Sequence, residues 1–154
     1  MYPIETNPLI WGVGPLRSDQ ILDTADWVCL KGAKGVWVYI TEIGANATTM
    51  TLTVHESVDG SGTTALAVAW PIYTNLLTTT ADTWTRLTDA ITYDLVPSAV
   101  AKMVAFYIDA ATLTAGCDWI QLGASAGHAS NIGIVQYQLV GARYQQAAPP
   151  TAIA

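Results

Sequence analysis

Residues 35–58 read GVWVYITEIGANATTMTLTVHESV, and two runs in this stretch alternate with a period of two. Val36, Val38 and Ile40 fall on one face of the first run, with Trp37, Tyr39 and Thr41 on the other. In the second run Met50, Leu52 and Val54 oppose Thr51, Thr53 and His55. Alternation of this kind marks half-buried strands. Gly44-Ala45-Asn46-Ala47-Thr48 then reads as the loop of a hairpin. Pairing Ile43 with Thr49 brings Ile40 opposite Leu52 and Val38 opposite Val54, so the apolar faces coincide. The expectation is a hairpin whose six apolar residues are buried together.

Further strand candidates follow at short spacing: residues 65–70, 82–87, 91–95, 102–109, 118–122 and 132–144. Turn signals such as Asp59-Gly60-Ser61-Gly62 and Val96-Pro97-Ser98 separate several of them. Many short strands with few helical patterns predict an all-β fold, an antiparallel β-sandwich with jelly-roll character. One helix is expected over residues 18–25, with Ser18 as its cap. Both ends differ from the middle, since Pro3, Pro8, Pro15, Gly12 and Gly14 crowd the first sixteen residues and Pro149-Pro150 the last ten. The organisation expected is an extended N-terminal arm over 1–16, a sandwich over 17–145 and a proline-containing C-terminal arm over 146–154.

The chain has 154 residues, enough for one domain that buries roughly 68–70% of its unfolded surface without a metal or disulfide. Only 12% of residues are charged and the net charge is −6, against about 25% charged in ordinary domains. An acidic chain with scattered cations lacks the footprint of a nucleic-acid binder. An apolar content of 51% excludes a disordered chain. Twenty Thr and 23 Ala must cover much of the surface, and such a surface is cheap to desolvate, which suits a protein that lives against neighbours. The first ten residues lack a basic start and an apolar run, so no secretion is expected. The uncharged stretches 60–81 and 119–142 contain Pro71 and many polar residues, so no membrane span is expected. Cys29 and Cys117, each in a strand-like run, are read as small buried hydrophobes.

Candidate chemistry is thin. Gly123-Ala124-Ser125-Ala126-Gly127 matches a nucleophile elbow formally, with His128 after it, yet no acid follows Asp118 and the strand-turn-helix context is absent. The hairpin register puts Glu42 and Glu56 six rungs, or ~20 Å, apart, beyond the ~5–9.5 Å of glycosidase pairs. His55 and His128 are the only histidines and lie at no ligand-like spacing. Asp23-Thr24-Ala25-Asp26 and Asp59-Gly60-Ser61-Gly62 lack the dense oxygen set of a Ca²⁺ loop, and Asn46-Ala47-Thr48 is a formal glycosylation acceptor. The reading is therefore of a non-enzyme with no catalytic residue, cofactor or metal. Six Trp and seven Tyr against one Phe stand out, because aromatics with a polar handle suit interfaces and sugar platforms. Trp37 and Tyr39 share a face whose expected place is the inner layer of the core. Exposure of Trp37, Tyr39 or Trp84 in a coplanar row would instead favour a sugar-binding module.

Residues 23–32 (DTADWVCLKG), 83–88 (TWTRLT), 117–122 (CDWIQL), 129–144 (from ASNI through GARY) and 149–153 (PPTAI) resemble the small head-associated proteins of tailed bacteriophages. The resemblance covers about residues 23–154. It implies a β-sandwich, made in the host cytoplasm, that decorates or cements the outer surface of the virion head. Its partner would be the major capsid protein, encoded beside it, and it would form a homo-oligomer, a trimer rather than a dimer, without nucleic acid or membrane. The arms and the point where the last strand leaves the domain supply the candidate interface residues: Tyr2 and Trp11, Arg143 and Tyr144, and Pro149, Pro150 and Ile153. The alternatives are another virion part, such as a head-fibre base, neck or tail component, and a carbohydrate-binding sandwich.

Overall fold

The computed structural model describes residues 9–20, 25–62, 64–76, 83–97, 101–125 and 127–141. Among them the strands run in chain order as β1 (Leu9–Arg17), β2 (Val28–Cys29), β3 (Gly35–Ile43), β4 (Met50–Ser57), β5 (Thr64–Ala65), β6 (Ile72–Leu76), β7 (Thr85–Arg86), β8 (Thr92–Leu95), β9 (Lys102–Asp109), β10 (Trp119–Ala124) and β11 (Ile132–Val140). They form two antiparallel sheets packed face to face, the β-sandwich expected from the alternation. One sheet has the order β1-β11-β3-β9-β6-β7. The other has the order β2-β10-β4, with β5 and β8 pairing successive stretches of the far edge of β4.

The inner faces are built from every second residue. Val36, Val38 and Ile40 of β3, Val104, Phe106 and Ile108 of β9, and Val135, Tyr137 and Leu139 of β11 meet Met50, Leu52 and Val54 of β4 and Ile120 and Leu122 of β10. Trp70, beside the sheets, stacks on Phe106 with ring centroids 4.3 Å apart. All six apolar residues expected to be buried together are in this core.

They are not a hairpin, however. β3 pairs with β11 and β9, β4 pairs with β10, β8 and β5, and the loop between them arches from one sheet to the other. Alternation specifies which face is apolar but not whether two such faces lie side by side or stack across a core. Asn131 holds the arch in place: its Nδ2 donates to the Asn46 carbonyl at 2.9 Å, and its Oδ1 accepts from the Asn46 N–H at 3.4 Å. A Cβ on Gly44 would lie 1.8 Å from Asn131 Oδ1, so the arch needs glycine there.

Two further expectations change. The stretch 1–16 is not an arm throughout, because from Leu9 onward it is β1, an edge strand with Ile10 and Val13 in the core. Its described residues fit an edge: Pro15 takes a position where the sheet needs no donor, and register shifts flank Val13. Gly12 lies where a Cβ would come 2.4 Å from Tyr137 Cε2. The helix over 18–25 is not formed at its start, where residues 18–20 make a turn closed by Gln20 N–H donating to Arg17 O, and residues 21–24 lie outside the described residues. Among the described residues the one helical piece is a short 3-10 turn at Ala110–Thr112, capped by Asp109, and no helix is long and apolar enough to cross a membrane.

Candidate interaction surface

Of the candidate interface residues, Trp11 is described, and Tyr2, Arg143, Tyr144, Pro149, Pro150 and Ile153 lie outside the described residues, as does the C-terminal arm. Trp11 is 56% exposed and Leu9, two residues before it, 51%. Ile10 between them points into the core, so both project from the outer face at the sheet's edge. At the end of the same edge Arg17 pairs with Ile132, which pairs in turn with Ile43. Ile43 and Ile132 are 48% and 49% exposed. The β1 side of the six-stranded sheet thus presents apolar side chains to solvent at both ends.

Next to this edge lies an aromatic surface. Residues paired across β1, β11, β3, β9, β6 and β7 form the row Trp11, Gln136, Tyr39, Ala105, Tyr73, Arg86, and the next row on the same face is Leu9, Gln138, Trp37, Tyr107. Trp37 and Tyr39 are therefore outside the core, contrary to the inner placement expected. Val36, Val38 and Ile40 take the inner face, and strand alternation leaves the rings no other place. The Trp37 ring stacks on Tyr39 at 6.3 Å with 24° between planes, and meets Tyr73 at 5.6 Å and Tyr107 at 5.3 Å at steeper angles. The short side chain of Ala105 lets Trp37 reach Tyr73 across β9. The Tyr39 hydroxyl donates to Gln138 Oε1 at 3.1 Å. Burial raises the phenol pKa values of Tyr39 and, helped by the nearby Asp109 charge, of Tyr107, so both remain neutral donors. Trp84, 42% exposed, precedes β7 and is not in the row. Alternation singled out Trp37 and Tyr39, but Tyr73, Tyr107, Gln136 and Gln138 join them only through lateral strand order, which one strand's pattern does not carry.

The remaining polar candidates have structural partners. Ser125 Oγ accepts from the Thr51 N–H at 2.7 Å while the Ser125 N–H donates to Thr51 O, so Ser125 extends the β4–β10 ladder by one rung. His128 Nδ1 accepts from the Ser130 N–H at 3.1 Å in a turn of its own. Cys29 and Cys117 are free thiols, partly exposed rather than buried, Cys29 on β2 and Cys117 in the turn that leads into β10 rather than in a strand. Asp59 accepts from Ser61 and Ser57, which lowers its pKa and closes the 57–61 turn.

Glu42 and Glu56 are both buried, and the hairpin separation derived for them does not apply, because their strands belong to different sheets. They sit at opposite ends of the sandwich. Glu56 accepts from the Thr114 N–H at 2.8 Å and from its hydroxyl at 2.5 Å. Glu42 accepts from Asn131 Nδ2 at 3.4 Å, and its Oε2 faces the buried Ser18 hydroxyl without a well-formed hydrogen bond. Desolvation raises the Glu42 pKa, opposed by Ser18, Asn131 and the charge of Lys102 opposite it on β9. Sequence reading weighed Glu42 as half of a catalytic pair and missed its role as a buried anchor beside the arch.

A cleft of 140 Å³ lies between the 66–71 segment and the end of β9, lined by Leu66, Trp70, Tyr107 and Asp109 among others. It is well below the ~300–1,000 Å³ of small-molecule pockets. No protein-family model matches the chain, and comparison with curated proteins gives no match.

Proposed function

We propose that this protein is a structural component of a tailed-phage head, decorating or cementing the outer surface of the shell by binding the major capsid protein. The observation that carries the reading is the exposed apolar edge of the six-stranded sheet, Leu9 and Trp11 at one end of β1 and Ile132 and Ile43 at the other. Exposed apolar side chains on a surface poor in charge can be covered at little desolvation cost. The resemblance over residues 23–154 supplies the biological setting, and the homo-oligomer, a trimer, belongs to the same proposal.

The test is sedimentation of the purified chain with heads assembled from the capsid protein encoded beside it. Co-sedimentation at a fixed stoichiometry, weakened by Trp11→Ala and by Ile132→Thr in chains that remain folded, is the expected result. A chain that stays in the supernatant at every ratio contradicts the proposal. Analytical ultracentrifugation checks the trimer.

A further inference from the structure

We propose that the outer face of the six-stranded sheet also binds a neutral glycan, through Trp37, Tyr39, Tyr73 and Tyr107 with the amides of Gln136 and Gln138. This goes beyond attachment to a shell and uses the middle of the face, not its apolar edge.

A sugar ring has an apolar C–H face, which stacks on aromatic rings, and a rim of hydroxyls that both donate and accept. The site offers each half its partner. Trp37 and Tyr39, whose ring planes are within 24° of parallel, supply two aromatic surfaces side by side, while Tyr73 and Tyr107, inclined 61° and 51° to Trp37, flank them. Ring-to-ring packing at 5.3–6.3 Å holds all four in place before any ligand arrives, so little side-chain entropy remains to be lost on binding. Glutamine amides and tyrosine hydroxyls both donate and accept, as sugar hydroxyls require. Gln138 is already oriented by the Tyr39 hydroxyl at its Oε1, which leaves its NH₂ to donate outward.

Charge and shape narrow the ligand. The six residues carry no charge, and the nearest cation in the row, Arg86, is paired with Asp89 at 2.8 Å. An anionic polymer finds no free counter-charge there, whereas a neutral one loses nothing. Tyr39 and Tyr73 are two strands apart, about 10 Å, and the face is open, so an extended oligosaccharide lying across the strands fits better than a single enclosed sugar. A second copy of the chain would have to match every buried amide with a fixed partner. Sugar hydroxyls, which rotate to donate or accept, meet that requirement more easily.

The test titrates the full chain with cellohexaose, xylohexaose, mannohexaose and chitohexaose, with polygalacturonate as the anionic comparison, following tryptophan fluorescence and heat. Binding of at least one neutral oligomer is expected, weakened tenfold or more by Trp37→Ala and by Gln138→Ala and unchanged by Trp84→Ala. Gln138→Ala alters only an outward side chain, so the test stands even if Trp37→Ala fails to fold. Absence of binding to all four, binding that survives Gln138→Ala and Tyr73→Ala, or a preference for polygalacturonate overturns the proposal. So does a dimer in the ultracentrifuge that Gln138→Ala converts to monomer, which would assign the face to a second copy. Head sedimentation is a separate readout, so failure here leaves shell attachment standing.

Discussion

The Tyr137 hydroxyl accepts a hydrogen bond of 2.9 Å from the Leu122 backbone N–H, joining the two sheets through the middle of the core. The cause lies in the brevity of β2, which pairs with β10 only over Val28–Cys29. One rung further the chain turns away and the Asp26 N–H donates to Gly12 O in the other sheet. Leu122 would be left with a buried, unpaired donor, and the phenol from the opposite sheet satisfies it. Burial, helped by the Asp26 charge and only partly opposed by the Leu122 N–H, holds the Tyr137 pKa far above the usual phenol value.

Tyr137→Phe keeps the ring and removes the acceptor. A buried N–H left without a partner costs about 1–3 kcal/mol, so the variant should unfold at correspondingly lower denaturant concentration. Because the folded-state pKa is raised, the Tyr137 contribution is intact below pH ~10 and lost as pH rises further. The variant should therefore show a shallower loss of stability on the alkaline side. Equal stability of the two proteins in urea titrations at neutral pH would contradict this role.

Glu42→Gln places an NH₂ where the unsatisfied Oε2 faces Ser18. The raised pKa means that the protonated carboxyl is the form the fold prefers. Its contribution is complete below the ordinary value of about 4.3 and declines as pH rises through the raised folded value. The glutamine variant should thus melt higher than the wild type at pH 7, by on the order of 1 kcal/mol, with the difference shrinking toward zero near pH 4. A variant destabilised at pH 7 would show that the carboxylate is ionised and well paired.

Gly12→Ala tests the docking of β1. A methyl group 2.4 Å from Tyr137 Cε2 must push the strand or the ring aside, and overpacking of this kind costs about 1–3 kcal/mol. Hydrogen exchange of the β1 amides should accelerate more than that of β4. Uniform or unchanged exchange would mean that β1 adjusts freely.

The sandwich, the identity of its inner face and most strand positions were legible in the sequence, since alternation is a local property. β9 matches its expected limits, and β8, β10 and the start of β11 lie within a residue or two of theirs. What failed was non-local. Val38 and Leu52 are both inward-facing, but nothing in either strand says whether its neighbour lies beside it or across the core. β1 was hidden by Gly12, Gly14 and Pro15, which read as an arm until the edge position accounts for Pro15 and the Tyr137 ring for Gly12. β6 was missed because it follows Pro71 and its alternation spans only five residues. The aromatic face was half visible, through Trp37 and Tyr39, and needed the lateral order β11-β3-β9-β6 to become a surface.

Ser125→Ala removes the acceptor of the Thr51 N–H at an exposed end of the ladder. A loss of about 0.5–1.5 kcal/mol is expected, with fraying of the adjacent rungs. The serine itself should not react with a fluorophosphonate probe, because its oxygen is engaged with backbone and His128 is occupied with Ser130. Covalent labelling at Ser125 would contradict the structural assignment.

Shell attachment is tested most directly by cryo-electron microscopy of heads incubated with the purified chain. The account predicts density for the sandwich at regular positions on the outer shell, with the β1 edge, Trp11 and Leu9 at one end and Ile132 at the other, turned toward the capsid protein. Undecorated heads at saturating protein, or sandwich density confined to the neck or tail, would contradict it.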